Sequence, residues 1–448
     1  MKMPLSPPDL QALLAKIPAE SFGKVFADGS PTVDSAYLHW DQLRHRAPPE
    51  GLSAEEWWAS IKLARAGMLQ PLPLYGKNGR PFRIGMPENI LIHLHHIDKD
   101  AAGQIQSTGE VTTSENRDRY LFQSTIEEAI TSSQMEGAAT TRRVAEAMLR
   151  EGRQPRDHSE KMIFNNFQAM ELIRSIKHEP ISPERVLELH RILTEGTLED
   201  PSDAGRLRET DDVHVVDNRD GTVIHQPPNH TELKERLKRL CEFANADEGS
   251  KPFVHPVLRA ILLHFMIGYD HPFVDGNGRT ARALFYWAIA RSGYWLMEFI
   301  SISHYLREAP SQYVRSYLFT ETDDNDTTYF LVHQLETIRK AIGGLHEYLT
   351  RKVTEQKATE QLLVGSSSLR SRLNHRQIAL LTHALKHPDE LYKIEGHQRS
   401  HAVVYQTARQ DLLSLADLGL LEKFKAGKGF LFQAPKNLRQ VISQLAAA

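Results

Sequence analysis

The sequence predicts a mainly α-helical protein. Apolar residues recur at spacings of three and four along much of the chain, the period of a helix that buries one face. The clearest examples are residues 10–17, 54–66 and 256–269. Runs of β-branched residues are short, and the most distinct pair of them spans residues 213–226. We therefore expect helical domains that are interrupted by small hairpins.

Shifts in composition predict the domain organisation of the 448 residues. We expect a mainly helical N-terminal extension over residues 1–115, ending in a polar stretch rich in Gly, Ser and Thr. A helical domain over residues 116–345 follows, and then a helical connector and linker over residues 346–368. Residues 369–448 carry a different pattern, in which a helix, a short strand and a second helix precede a hairpin.

Charge and cysteine content narrow the classes of function. The net charge of −3 provides no overall attraction to nucleic acid or to an anionic membrane. The one cysteine, Cys241, excludes an internal disulfide and indicates a reducing compartment. The sequence has neither an apolar run of membrane-spanning length nor an N-terminal signal pattern. We expect a soluble, cytoplasmic protein that does not bind membranes.

The most informative stretch is residues 271–282, His-Pro-Phe-Val-Asp-Gly-Asn-Gly-Arg-Thr-Ala-Arg, which joins two predicted helices. The start of a helix exposes unpaired backbone N–H groups and attracts anions. Gly276 and Gly278 let the backbone turn sharply and approach a phosphate closely. Arg279 and Arg282 are three residues apart on one helix face, and each guanidinium can bind two phosphate oxygens.

The same loop contains a carboxylate and an imidazole. Asp275 would repel a phosphate on its own, but it suits a Mg²⁺ ion held between the two. His271 is the group in this loop that can take up a proton near neutral pH. These residue types together indicate phosphoryl or nucleotidyl transfer, which a plain polar connection between helices explains less well. A Walker-type loop is excluded because no Gly-Lys-Ser/Thr follows the glycines.

Residues 271–282 resemble the signature of the Fic (filamentation induced by cAMP) family, His-x-Phe-x-Asp/Glu-Gly-Asn-Gly-Arg-x-x-Arg, at every position. The resemblance implies a protein adenylyltransferase, which transfers AMP from ATP to a Ser, Thr or Tyr hydroxyl of a target protein or of itself. The residues it implies are the general base His271, the Mg²⁺ ligand Asp275, and the ATP-binding residues Gly276, Asn277, Gly278, Arg279, Arg282 and Tyr313. For Tyr313, packing in the core is the alternative role.

A second motif lies upstream, at the end of a helix predicted over residues 120–137. Judged alone, Glu136 is a solvated acid at a helix end where the dipole disfavours it. Ser132, Glu136 and Gly137, however, match the pattern Ser/Thr-x-x-x-Glu-Gly/Asn and so resemble the inhibitory helix of Fic proteins. The resemblance implies that Glu136 pairs with Arg282 and occupies the position of the ATP γ-phosphate, so that the enzyme is autoinhibited.

The hairpin predicted over residues 213–226 has two interpretations. It can pack on the helices without a further role, because a two-stranded hairpin needs such support. Alternatively, it is a flap whose edge receives the target segment by strand addition. The Fic resemblance favours the flap, since a hairpin precedes the signature loop in that family.

Residues 369–448 resemble a winged helix-turn-helix domain. In that fold the start of the second helix reaches base edges and the wing reaches phosphates. The residues so placed are Gln406, Arg409 and Gln410 in the helix and Lys423, Lys425 and Lys428 in the wing. Because Asp411, Asp417 and Glu422 dilute the positive charge, docking to a protein is an equally good alternative to binding DNA.

Other functions remain open at this point. One is a transcriptional regulator whose Fic domain only senses nucleotide. The intact His271 argues against this function because sensing needs no base. Two further possible functions are transfer of another phosphate-linked group and removal of AMP from a modified protein. A homodimer is implied by the family resemblance only.

Overall fold

The structure, a computed structural model, confirms a mainly helical chain and describes residues 2–27, 29–102, 114–217, 219–247, 249–364, 372–387, 389–426 and 429–447. Up to residue 245, the α-helices are α1 (Leu10–Leu14), α2 (Ala19–Ala27), α3 (Trp40–Leu43), α4 (Ala54–Ala66), α5 (Glu88–Ile97), α6 (Ser114–Met135), α7 (Arg142–Glu151), α8 (His158–Ile176), α9 (Pro183–Thr194) and α10 (Leu233–Asn245). In the second half they are α11 (Pro256–Asp270), α12 (Asn277–Arg291), α13 (Ile302–Glu308), α14 (Pro310–Thr322), α15 (Thr328–Val364), α16 (His375–Lys386), α17 (Ile394–Ser400), α18 (Tyr405–Asp417) and α19 (Leu438–Ala447).

The strands form small antiparallel sheets, as the sequence predicts. The pairs are β1 (Gln70–Tyr75) with β2 (Pro81–Ile84), and β3 (Val215–Val216) with β4 (Val223–His225). Near the C-terminus, β5 (Leu391–Lys393), β6 (Glu422–Ala426) and β7 (Gly429–Gln433) form one sheet with β7 in the middle. Within the described ranges, none of the helices combines the length and apolar character that crossing a membrane requires.

The described residues form two compact units. The first unit comprises residues up to 102, Glu127–Thr140 and Arg156–Ile342, and the second comprises residues 114–126, Thr141–Pro155 and those from Gly343 on. Helix α15 runs without interruption across the predicted boundary between residue 345 and the connector, which was predicted to begin at residue 346. The Gly365-Ser-Ser-Ser break and residues 103–113 of the predicted N-terminal boundary lie outside the described residues.

Helices α8, α9, α11 and α12 form the centre of the first unit. Helix α11 starts with Pro256 in its first turn, where a missing N–H costs nothing, and His255 caps it by accepting from the N–H of Val257. Nearly every residue of α11 and α12 is buried, including the polar ones. A helix that is buried on all sides belongs to the interior of a domain, so the loop between these two helices is rigidly placed.

Buried polar contacts fasten the N-terminal extension to the start of α15 within the first unit. Arg65 is fully buried, and its Nη1 donates to the Tyr329 hydroxyl at 2.7 Å. Its guanidinium also lies 3.6 Å from the centre of the Tyr37 ring. Lys62 and Asp323 pair at 2.7 Å with both side chains almost completely buried. These pairs join residues far apart in the sequence, which no local pattern indicates.

The C-terminal residues of the second unit surround an apolar cluster of their own. Helices α16 and α18 and the hairpin of β6 and β7 agree with the prediction, and Leu381, Leu412 and Phe432 lie at their common centre with no exposed surface. Helix α17 was not predicted, because only Ile394 and His397 of its seven residues are buried and the apolar period is therefore missing.

The expectation that Asp411 dilutes surface charge is wrong. Asp411 is buried, and its carboxylate accepts from Arg376 Nε at 2.7 Å and from Asn374 at 2.7 Å. Burial alone would raise the pKa of Asp411, but hydrogen bonds from His397, Arg376 and Asn374 hold it far below its ordinary value. Gln406 and Gln410 are exposed and Arg409 is half-buried, whereas Lys428 lies outside the described residues.

Candidate active site

His271 ends α11 in the left-handed backbone region, with a φ of 44°, and so turns the chain out of the helix. Its Nδ1 lies 3.1 Å from the carbonyl oxygen of Gly268. Because a carbonyl oxygen only accepts, Nδ1 carries the proton and Nε2 carries the lone pair. Burial lowers the pKa of His271 to about 4. At neutral pH the imidazole is therefore uncharged and able to accept a proton through Nε2.

The loop after His271 is braced by Asn277, the first residue of α12. Its side-chain oxygen accepts from the Phe273 N–H at 2.9 Å, and its amide nitrogen donates to the Phe273 carbonyl at 2.8 Å. Both polar atoms of this side chain are thus used inside the loop. Any contact of Asn277 with a phosphate falls to its backbone N–H, at the exposed start of the helix.

His190 of α9 contacts the loop through Phe273 and Asp275. The sequence analysis did not indicate this residue. Its ring stacks on Phe273 with centroids 3.7 Å apart and planes inclined by 4°. Its Nδ1 accepts from the Gly205 N–H at 2.9 Å, so Nε2 carries the proton and donates to the Asp275 carbonyl at 2.9 Å. Burial lowers the pKa of His190 to about 4, which keeps this tautomer uncharged.

Arg208 is a further support that the sequence did not indicate. Its side chain is 1% exposed, and its Nε donates to the His271 carbonyl at 3.0 Å. The same guanidinium donates to the carbonyl oxygens of Thr210 and Pro228. Arg208 therefore connects the backbone of His271 to Thr210, which precedes the β3–β4 hairpin, and to Pro228, which follows it.

The two loop glycines differ in their surroundings. Gly276 has a φ of +80°, and a Cβ there would lie 2.6 Å from the Cγ2 of Thr194. Gly278 needs no special backbone angle, but a Cβ there would lie 2.2 Å from Oε1 of Glu136. The Glu136 carboxylate consequently lies against the first turn of α12, where the exposed N–H groups would stabilise an anionic group of a ligand.

Arg282 and Glu136 meet, as the sequence predicted. Arg282 Nη2 donates to Oε1 of Glu136 at 2.8 Å, and its side chain is 2% exposed against 26% for the glutamate. Ser132 completes the contact, since its hydroxyl accepts from Arg282 Nε at 2.8 Å and its carbonyl accepts from Nη2 at 3.0 Å. Burial by itself would lower the pKa of Arg282, but the Glu136 carboxylate raises it above its ordinary value.

Glu136 lies one residue beyond α6, which ends at Met135, whereas the predicted helix included it. Gly137 follows in the left-handed region with a φ of +94°, which ends the helix as predicted. The interpretation of Glu136 as an ordinary solvated acid is wrong because Arg282 supplies the compensating cation.

Glu128, two turns earlier on α6, anchors this segment, although no sequence pattern indicated it. It is 2% exposed, and its Oε2 accepts from the hydroxyls of Tyr286 at 2.9 Å and Ser301 at 2.7 Å. Its Oε1 accepts from the hydroxyl of Ser303. A buried carboxylate with this many donors is costly to dislodge, so the helix that presents Ser132 is held firmly.

Arg279 is engaged differently from Arg282. Its side chain has no exposed surface, and its Nη1 donates to the Leu193 carbonyl at 2.8 Å. Its Nη2 lies 3.2 Å from Oδ2 of Asp275, whose side chain is 56% exposed. In this arrangement Arg279 orients the Asp275 carboxylate. Its predicted contact with an outer phosphate stays a prediction.

Tyr313 lies on α14 in a cluster of aromatic side chains. Its hydroxyl is 2.8 Å from Nε2 of His264 and 3.3 Å from the hydroxyl of Tyr317. Burial raises the pKa of Tyr313, so the phenol stays protonated. These contacts agree with the packing role, and its place beside a nucleotide base stays a prediction.

The β3–β4 hairpin is attached next to the base. His225 of β4 lies with Nε2 2.7 Å from the Tyr269 carbonyl and with Nδ1 2.9 Å from Oε2 of Glu321. The side chains of Val216 and Val223 are 41% and 48% exposed. The hairpin is therefore anchored at one end and presents apolar residues to solvent at the other.

Taken together, these contacts bring the uncharged imidazole of His271, the exposed carboxylate of Asp275 and two buried guanidinium groups, those of Arg279 and Arg282, to the start of α12. Such a set can deprotonate a hydroxyl, hold a metal ion through Asp275 and stabilise a phosphate through Arg282. Among the described residues, no cluster of three or more His, Cys, Asp or Glu side chains could hold a metal by itself. A metal ion here would be bound by the Asp275 carboxylate together with phosphate oxygens of the substrate, as Mg²⁺ commonly is.

Parts of this chain are similar to known proteins. Residues 180–289 match the model of the Fic/DOC family. The protein adenylyltransferase fic-1 of Caenorhabditis elegans is 37% identical over 120 residues, which are 27% of this chain and 21% of that protein. The protein adenylyltransferase Fic of Drosophila grimshawi is 33% identical over 159 residues, which are 35% of this chain and 30% of that protein.

The chain thus spans less than a third of the length of these curated relatives. Among solved structures, a Fic family protein from Desulfovibrio desulfuricans G20 superimposes with a TM-score of 0.49 at 16% identity, covering 78% of this chain and 97% of that one. The matched residues contain the whole signature loop, all of α11 and α12 as far as Ile289. Within this chain, residues 180–289 are the part that matches the Fic/DOC family.

Proposed function

We propose that this protein is a protein adenylyltransferase whose own Glu136 inhibits it. The observation that carries the proposal is the 2.8 Å contact between Glu136 and Arg282 beside the uncharged His271. An enzyme of this kind needs a base for the attacking hydroxyl and a cradle for the leaving phosphates. The names of the relatives support the same activity over the Fic domain.

The reaction transfers AMP to a Ser, Thr or Tyr hydroxyl of a target protein or of this chain itself. His271 accepts the hydroxyl proton on Nε2 while the hydroxyl oxygen forms a bond to the α-phosphorus of ATP. The bond from that phosphorus to the bridging oxygen breaks, and pyrophosphate leaves. The Gly268 carbonyl holds the other ring nitrogen, so the lone pair of Nε2 keeps its direction.

The backbone N–H groups of residues 276–278 would hold the α- and β-phosphates, with Arg282 on the γ-phosphate. Asp275 fits a Mg²⁺ ion because its carboxylate is exposed and is oriented by Arg279. Mg²⁺ bound there with ATP would neutralise charge on the leaving pyrophosphate.

Inhibition follows from competition for one guanidinium. Arg282 is buried and cannot bind Glu136 and a γ-phosphate with the same Nη2. Breaking a buried charge pair costs roughly 2–5 kcal/mol, which corresponds to suppression by about 30-fold or more. ATP that cannot seat its γ-phosphate on Arg282 is held in a pose unsuited to attack at the α-phosphorus.

The β3–β4 hairpin would position the target. Strand addition uses backbone hydrogen bonds and therefore accepts many sequences, with side chains such as those of Val216 and Val223 supplying apolar contact. Arg208 and His225 fix the hairpin relative to His271, which would set the distance from the acceptor hydroxyl to the base.

A second candidate function, binding of duplex DNA, concerns the C-terminal residues. Residues 372–448 contain eleven Lys and Arg against six Asp and Glu, a net charge of +5 in a chain whose total is −3. One of the six acids, Asp411, is buried and paired with Arg376. The exposed Gln406 and Gln410, with Lys423 and Lys425 on β6, offer base-edge and phosphate contacts. The homodimer that the family resemblance implies stays a prediction.

Replacement of Glu136 tests the proposed activity and its inhibition together. Glu136→Gly should raise automodification by labelled ATP with Mg²⁺ about 30-fold, because Arg282 is then open to the γ-phosphate. Glu136→Gln, which keeps the shape and removes the charge, should also activate. Glu199→Gly, which removes an exposed acid elsewhere, should not. His271→Ala should abolish transfer in the wild-type and activated backgrounds, and activity that survives it would contradict the proposed base.

The pH dependence tests the state of the base. With a pKa of about 4, His271 stays uncharged on lowering the pH from 7.5 to 6. Transfer by Glu136→Gly should therefore stay within about twofold over this range, since a base loses activity only as the pH approaches its pKa. An ordinary histidine would lose roughly three-quarters of its uncharged form by pH 6. A loss of that size in the initial rate would show that the base is not buried as described.

DNA binding is tested on the whole chain by fluorescence anisotropy with a labelled duplex. We expect binding that weakens at least tenfold between about 50 and about 200 mM salt, because counterions are released from the phosphates. Lys423→Gln and Lys425→Gln should weaken it, whereas Lys238→Gln on α10 should leave it unchanged. Absence of binding at the lowest salt would exclude this function and leave docking to a protein.

A further inference from the structure

The segment that carries Glu136 is bounded on both sides by the second unit. Residues Glu127–Thr140 belong to the first unit, while residues 114–126 and Thr141–Pro155 belong to the second. The change of unit occurs within α6 on one side and directly before α7 on the other. The chain therefore transmits a displacement of either flank to this segment.

The two flanks are tied to each other inside the second unit. Arg150 of α7 donates from Nε and Nη2 to Oε1 of Glu146, at 3.1 and 2.8 Å. The same Nη2 donates to the side-chain oxygen of Gln123 on α6, and the amide of Gln123 donates to Glu146 at 3.4 Å. Gln123 of α6 is thus hydrogen-bonded to both Glu146 and Arg150 of α7, so a displacement of α7 pulls on α6 through these bonds.

The C-terminal residues pack on the end of α7. Arg399 of α17 donates from Nη1 to the Arg150 carbonyl at 3.2 Å, and Lys393 pairs with Glu151 at 3.5 Å. Gly152 caps α7 with a φ of +63°, and a Cβ there would lie 1.9 Å from Nη1 of Arg399. The left-handed backbone favours glycine at this position, and α17 and the end of α7 are in direct contact through Arg399.

Only residues 137–141 separate Glu136 from α7. In the first unit the segment is anchored by Glu128 and by Gln134, whose side-chain oxygen accepts from Arg307 at 2.7 Å. This connection is itself held to the first unit, because the Thr140 carbonyl accepts from the side-chain nitrogen of Gln134 at 3.2 Å and the Ala139 N–H donates to the Ser159 hydroxyl at 3.0 Å. Motion of α7 therefore acts against the anchors that hold Glu136 on Arg282.

We propose that the C-terminal residues 372–447 set the strength of inhibition by Glu136, acting through α17 and α7. The proposal rests on the adenylyltransferase function proposed above and names its regulatory element. Whatever binds the C-terminal residues and shifts α17 on α7 would loosen the inhibitory segment. Helix α17, with Lys393 at its start, is the contact through which this signal passes.

The test is a charge swap in the intact protein, read out by hydrogen exchange of backbone amides in residues 133–140. Glu151→Lys and Lys393→Glu each place like charges at the 3.5 Å contact and should speed this exchange roughly two- to fivefold, the range that an exposed ion pair allows. The double variant restores opposite charges and should return the exchange to the wild-type rate. Lys238→Glu reverses a comparable exposed charge on α10 and should leave it unchanged.

Automodification by ATP provides the second readout. Each single variant should raise it about two- to fivefold, the double variant should not, and neither single should add to the rate of Glu136→Gly. Unchanged exchange in residues 133–140 of both single variants would overturn the coupling, whatever the activity. If Glu136→Gly itself transfers no AMP, the proposed function fails, and the exchange rates alone decide whether the C-terminal residues control this segment.

Discussion

One buried cation governs the candidate site. Arg282 is almost completely buried in the second turn of α12, where an unpaired guanidinium would be strongly destabilising. Ser132 supplies two acceptors without charge, so an anion is still needed, and Glu136 provides it. The γ-phosphate of ATP is the other anion that suits this place. In the proposed mechanism, the Glu136 carboxylate and the γ-phosphate of ATP exchange places on Arg282.

The loop and the base next to Arg282 are preorganised by hydrogen bonds and packing within the domain. Asn277 is hydrogen-bonded to Phe273 within the loop, and His190 stacks on the Phe273 ring. Arg208 donates a hydrogen bond to the backbone carbonyl of His271. Burial keeps the imidazole of His271 uncharged, and the Gly268 carbonyl decides which nitrogen has the lone pair. Little reorganisation is then left for the moment of reaction, which is where a preorganised site gains its rate. Under the proposed inhibition, displacement of Glu136 would therefore expose a site whose other contacts are already formed.

The part of this site that rests on local residue patterns or on a motif could be predicted from the sequence. The part that rests on contacts between residues distant in the sequence could not. The loop, its two helices and the pairing of Glu136 with Arg282 follow from residue types at fixed short spacings or from a motif. His190, Glu128 and Arg208 carry no such signal, because each acts through contacts with residues distant in the sequence. The burial of Asp411 escaped prediction for the same reason, since its partners come from two other helices. Helix α17 was missed because a short helix with two buried residues has no apolar period.

The most direct measurement of the central claim is calorimetric binding of ATP and ADP, each with Mg²⁺, to the His271→Ala protein with and without Glu136→Gly. His271→Ala prevents turnover, so both nucleotides can be compared at equilibrium. With Glu136 present, the two Kd values should be nearly equal because the γ-phosphate cannot reach Arg282. With glycine at this position, ATP should bind roughly tenfold or more tightly than ADP, the gain from pairing a buried guanidinium with phosphate. An ATP-to-ADP ratio that is the same in both proteins would contradict the account.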